Sequence, residues 1–401
     1  MKNHYLGSFI LLSLLFIFFL ACSSDMTGMD GSFSSGTSDG TAKDLASGEA
    51  QNPAVGNGNI EPGLITAGEW NDLDNWSYWQ DLLAKQEFSK MPDYWKFNLI
   101  SRYSVELKDT NGVPHQDVSV ALKANGEVVW KAKTDNNGKA ELWGEAFVNP
   151  AQRIDNSYLQ IDIDNGRLIQ ANVFSFEQGV NSITYAENTP TSQRAEIAFI
   201  VDATSSMGDE LEFLKVELKD VLQKVKDNQP QFQLITGSVF YKDAGDDYVT
   251  RVSPFTSNVN ITMNFIKNQK AEGGGDYPEA VHTALEKAMG ELQWTGMAKA
   301  RLLFLVLDAP PHYSSEVLLS LQKSIQAAAA KGIKIIPVTA SGIDKDTEFL
   351  MRFFAISTNG TYVFITNDSG IGNDHLEPTV GEYEVEYLNN LMVRLINEAL
   401  E

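Results

Sequence analysis

"AEIAFIVDATSSMGDELEFLKVELKDVLQKVKD", Ala195 to Asp227, opens on an apolar run and closes on an amphipathic one. "AEIAFIVD" has the length and composition of a buried strand, and "DELEFLKVELKDVLQKVKD" repeats its apolar residues with helical spacing. Between them Asp202, Thr204 and Ser206 set an oxygen at every second position, just where the strand should stop. The same alternation continues to the end of the chain. "FQLITGSVF", "RLLFLVLD", "KIIPVTA" and "TYVFIT" read as further buried strands, and "YVTRVSPF" as an antiparallel edge strand. "PEAVHTALEKAMGEL", "SEVLLSLQKSIQAAAAKG" and "VEYLNNLMVRLINEALE" read as helices, the second closed by Gly332. Strands alternating with helices build a doubly wound, mostly parallel α/β sheet over residues 195–401.

In such sheets the functional crevice lies at the carboxyl ends of the strands. Three polar elements are expected there: Asp202, Thr204 and Ser206; the glycine-rich "GGGDYPE", with Asp276; and Asp308, closing "RLLFLVLD". All offer oxygen, which suits Mg²⁺, Mn²⁺ or Ca²⁺ better than zinc. Glycines let a second loop approach closely. The alternative is that Thr204 and Ser206 merely cap the following helix. Asp243, in "FYKDAGDDYVTR", Ser205 and His312, in "DAPPHYSS", are candidates to flank the ion without holding it directly.

"VDATSSMGDE" resembles the Asp-x-Ser/Thr-x-Ser signature of the von Willebrand factor type A domain, over about half the chain. The resemblance implies a doubly wound sheet with a metal-ion-dependent adhesion site at its top. Thr204 and Ser206 would give hydroxyl oxygens to the ion, and Asp202 and Asp308 would bind directly or through water. An acidic group of a protein or polysaccharide partner would take the remaining place. Where the family usually has a threonine after the glycine loop, this chain has Asp276. The added carboxylate should tighten metal binding and weaken the attraction for an anionic partner.

The rest of the chain divides by composition. Lys2 precedes an apolar run that ends in "FLAC", the form of a bacterial lipoprotein signal over residues 1–21, with Cys22 as the lipidated residue. It is the one cysteine of the chain, so no internal disulfide forms. Residues 22–63 are Gly-, Ser- and Asp-rich and read as a flexible tether. Residues 64–98 hold Trp70, Trp76, Trp79 and Trp95 and read as a helical linker whose rings pack between domains. Over residues 99–190, Asn-Gly pairs recur between alternating runs, the signature of hairpins in an all-β sandwich. This segment resembles the carboxypeptidase regulatory-like and Ig-type modules of bacterial surface proteins.

A formal net charge of −22 argues against nucleic-acid binding, because a phosphate backbone would be repelled. There is no Gly-x-Ser-x-Gly elbow, Walker loop or His-Glu-x-x-His. The expectation is a non-enzymatic, metal-dependent binding or assembly protein, lipid-anchored in the bacterial envelope at the outer membrane. The alternatives are a metal-assisted hydrolase using His312 as base, and a structural protein stabilised by its ion.

Overall fold

A computed structural model describes residues 60–147, 158–187 and 190–401. The signal segment, Cys22 and nearly all of the tether lie outside the described residues. Among the described residues no helix is long and apolar enough to cross a membrane.

The chain enters with β1 (Thr66–Trp70), followed by α1 (Trp76–Ala84) and α2 (Met91–Trp95). Seven short strands follow: β2 (Arg102–Lys108), β3 (Ser119–Ala124), β4 (Glu127–Lys133), β5 (Lys139–Trp143), β6 (Leu159–Ile163), β7 (Leu168–Gln170) and β8 (Asn181–Thr184). They form a three-stranded sheet, β5-β2-β8, and a four-stranded sheet, β4-β3-β6-β7. Apolar residues of both, such as Val105, Leu142, Leu122 and Ile161, belong to one buried cluster. The β3–β4 turn carries Asn125 and Gly126, both at positive φ, as a two-residue hairpin requires. Asp135 accepts the amides of Asn137 and Lys139, the work of a turn residue.

The second half holds β9 (Arg194–Asp202), α3 (Leu211–Asn228), β10 (Gln233–Tyr241), β11 (Thr250–Thr256), α4 (Val259–Lys267), α5 (Val281–Glu291), β12 (Ala300–Leu307), α6 (Ser315–Lys331), β13 (Lys334–Thr339), α7 (Lys345–Ser357), β14 (Tyr362–Ile365), β15 (Glu386–Tyr387) and α8 (Leu388–Leu400). The large sheet runs β11-β10-β9-β12-β13-β14-β1-β15. Its five central strands are parallel, and β11 and β1 pair antiparallel with β10 and β14. Alternate residues of β9 serve opposite faces. Ile197, Phe199 and Val201 pack with α3, α4 and α8, whereas Ala198 and Ile200 pack with α5, α6 and α7. Chain order reverses between β9 and β12, so the crevice of this doubly wound sheet opens at their carboxyl ends.

Three parts of the chain depart from the sequence reading: residues 64–98 and helices α4 and α7. Residues 64–98 are more than a linker, because β1 enters the large sheet between β14 and β15. Behind it, Trp79 stacks on Phe349 of α7, with ring centroids 5.5 Å apart. Asp72 makes two hydrogen bonds, 2.8 and 2.6 Å, with the wholly buried Arg352 of the same helix. All four Trp rings of the segment are buried, as a packing role requires. Helices α4 and α7 are absent from the sequence reading, and α7 carries no readable apolar stripe because it is covered on almost every side.

Candidate functional site

Asp202 ends β9 and is fully buried. Its Oδ1 accepts from the Thr204 amide (2.9 Å) and the Thr204 hydroxyl (2.7 Å). The Thr204 hydroxyl lies 3.0 Å from Ser206 Oγ. A 3₁₀ turn, Ser205–Asp209, follows, and Thr204 stands at its N-cap position without making a side-chain cap bond. The hydroxyl is therefore turned toward Asp202 rather than used as a helix cap. Ser205 and Ser206 are exposed on the outer side of the same loop.

The glycine-rich loop lies directly against this turn. The Ser205 amide donates to Gly273 O at 3.0 Å, and the Glu272 amide to Ala203 O at 3.1 Å. A Cβ on Gly273 would stand 2.3 Å from an Asp246 carboxylate oxygen, and one on Gly274 would stand 3.1 Å from Thr204 Cβ. Both glycines are at positive φ, so no other residue fits this approach without strain.

Asp308, just beyond β12, is buried, and the Ser206 hydroxyl nearby acts to hold its carboxyl down. Burial first, and then the Asp202 charge, push the Asp308 carboxyl upward, and burial likewise raises Asp202. The third buried carboxyl here is Glu279, only 2% exposed. Burial, followed by the charges of Asp202, Asp243 and Asp308, pushes it up to about 9. Asp202 Oδ2, Asp308 Oδ1 and Glu279 Oε2 are all buried without a hydrogen-bond partner. Buried, orphaned carboxylate oxygens are costly unless a proton or a cation compensates them. They fit a divalent ion held by oxygen donors.

Sequence reading missed Glu279. "GGGDYPE" reads as a loop opening directly into a helix, yet α5 begins only at Val281. Before it the loop is irregular, Glu279 bridges to Pro311, and the Glu279 amide donates to Pro310 O at 2.9 Å. That pairing turns its carboxyl inward.

Asp276, expected beside Asp202, is exposed and falls into another group. One ligand-capable atom each from Asp243, Asp276 and His312 lie within 4.8 Å of one another. His312 Nε2 and Asp243 Oδ1 are 2.7 Å apart. The structure thus brings Asp202, Thr204, Ser206 and Asp308 to one edge, adds Glu279, and sets Asp243, Asp276 and His312 beside them. Asp247, from the same loop as Asp243, is engaged by Lys242 and Arg251.

A stretch of 120 residues is 32% identical to a protein of Acanthamoeba polyphaga mimivirus described as an ariadne-like RING finger protein. The match covers 30% of this chain and 11% of that protein, so the chain spans about a tenth of that curated relative. The crystal structure of the conserved hypothetical protein BatB from Bacteroides thetaiotaomicron aligns with 51% of this chain and 98% of its own, at 14% identity and a TM-score of 0.33. Residues 196–366 match the family model of the von Willebrand factor A domain. From β9 through β14, then, this chain is similar to the von Willebrand factor A domain.

Proposed function

We propose that this protein binds a partner through a divalent cation held at the carboxyl ends of β9 and β12. Asp202, Thr204, Ser206 and Asp308 would hold Mg²⁺, Mn²⁺ or Ca²⁺, with Glu279 as a buried carboxyl beside them. The bound ion would then accept an acidic group of a protein or polysaccharide. The observation that carries this reading is the convergence of three orphaned carboxylate oxygens, on Asp202, Asp308 and Glu279, next to two hydroxyls. Such all-oxygen sets suit hard cations.

The proposed role is binding rather than catalysis, supported by a sequence without a Gly-x-Ser-x-Gly elbow, Walker loop or His-Glu-x-x-His. The apolar leader ending at Cys22 supports anchoring by lipid in the bacterial envelope, at the outer membrane. Residues 99–190 would serve as an Ig-type sandwich that spaces the domain or adds a second contact.

Titration calorimetry with Mg²⁺, Mn²⁺ and Ca²⁺ tests the reading. Asp308→Asn should weaken cation binding on the order of tenfold or more, because it removes a charged ligand. Capture of the partner from an envelope extract should be lost with chelator. Equal cation affinity in wild type and Asp308→Asn would overturn the proposal.

A further inference from the structure

We propose that Asp243, Asp276 and His312 form a second metal site, separate from the first, that takes Zn²⁺ or a similar imidazole-accepting divalent ion. The three residues come from three loops at one edge of the sheet: the loop after β10, the glycine-rich loop, and the loop after β12. Their ligand-capable atoms already lie within 4.8 Å of one another. The loops are also held in place. Asp246 accepts the amide of Asp243 at 3.0 Å and that of Gly274 at 2.9 Å. The Glu279 amide pins the third loop at Pro310. Little ordering remains for an ion to impose, which favours binding.

Two observations apart from the triad itself point to a cation. Glu279 is 2% exposed and its Oε2 is unpartnered, with Asp243 among the charges that bear on it most. His282 Nδ1 is a buried nitrogen without a partner, and His312 and Asp243 are among the groups that act on it. Five carboxyl groups therefore crowd this edge: Asp202, Asp243, Asp276, Asp308 and Glu279. Even with Glu279 protonated, four of these groups can ionise, and one divalent ion offsets only two such charges.

The donor sets separate the two ions. The first set is all oxygen and hard. The second adds an imidazole, which zinc and its neighbours accept readily and Mg²⁺ and Ca²⁺ do not. Asp276 is exposed and His312 half-buried, so the second ion faces solvent and keeps a coordination place for water or a ligand. Binding through Nε2 uses the neutral imidazole with its hydrogen on Nδ1, so the ion takes the place of the His312–Asp243 hydrogen bond.

The test is calorimetry on the whole chain with Zn²⁺ and Mg²⁺ as separate probes, for wild type, His312→Ala, Asp276→Asn and Asp308→Asn. His312→Ala and Asp276→Asn should each weaken Zn²⁺ binding on the order of tenfold or more and leave Mg²⁺ binding in place. Asp308→Asn should do the reverse. Zn²⁺ affinity equal to wild type in both His312→Ala and Asp276→Asn overturns the second site. Should His312→Ala misfold, as judged by circular dichroism, the exposed Asp276→Asn decides alone. Loss of Mg²⁺ binding from the wild type, with Zn²⁺ still dependent on His312, would sink the first site and leave this one standing.

Discussion

Glu279 is held where its charge is least welcome, and its acidity makes a measurable consequence. Its carboxyl is raised to about 9, so the folded state keeps its proton where the unfolded chain has lost it. The stability this contributes is complete below the ordinary carboxylate range and drains away as pH climbs to about 9. His282 is shifted the opposite way by burial, but it acts only below about 6.5, its ordinary value. In chelator, the thermal midpoint should therefore fall between about pH 7 and pH 9. Glu279→Gln should flatten that fall, and so should saturating Mg²⁺, which favours the ionised form. Scanning calorimetry reads both effects, and a slope unchanged by the substitution would refute this account of Glu279. Among the site residues, Asp202, Thr204 and Ser206 are readable in sequence because a strand end displays alternate residues on one side. Glu279 is not, because its inward turn comes from pairing with Pro311, a residue on another loop.

At the scale of elements, β1 and the Asp72–Arg352 pair tie the N-terminal segment to the large sheet. Both partners are almost wholly buried, and Arg352 also donates to Thr379 O at 2.6 Å. Truncating Asp72 would remove both of its hydrogen bonds to Arg352 and leave the buried guanidinium with Glu348, 3.3 Å away, as its remaining carboxylate. Asp72→Ala should cost about 3 kcal/mol or more, read as a lowered urea midpoint. A loss under about 1 kcal/mol would show that water reaches the guanidinium once the carboxylate is gone. Strands β9, β10 and β12 are legible as unbroken apolar runs, the mark of parallel strands covered on both faces. Strand β1, "TAGEW", is too short and mixed to carry that mark, and its place depends on finding the free edge of β14. Helix α7 was hidden for the opposite reason, since burial all round erases the stripe that periodicity detects.

At the scale of the whole molecule, the described residues fall within one compact unit. One apolar cluster runs from the two small sheets, through the Trp-rich segment, to the face of the large sheet covered by α5, α6 and α7. Arg301 of β12 adds a forked pair with Asp117, at 2.7 and 3.1 Å, across the same boundary. With so much shared interior, the small sheets and the large one should unfold together. Tryptophan fluorescence and far-ultraviolet circular dichroism should trace a single coincident urea transition. Two separated midpoints would mean that the small sheets fold on their own.

The chain's own order determined the alternation of strands and helices, the doubly wound class, and the oxygens that end β9 and β12. Each of these rests on local periodicity and needs no distant partner. Tertiary structure alone decided that β1 completes the large sheet, that Glu279 joins Asp202 and Asp308, and that Asp276 turns to Asp243 and His312. These pairings join residues far apart in the chain, as Asp72 and Arg352 are at 280 positions. No local pattern encodes such a meeting, because it is set by which surfaces the packed sheets leave facing one another.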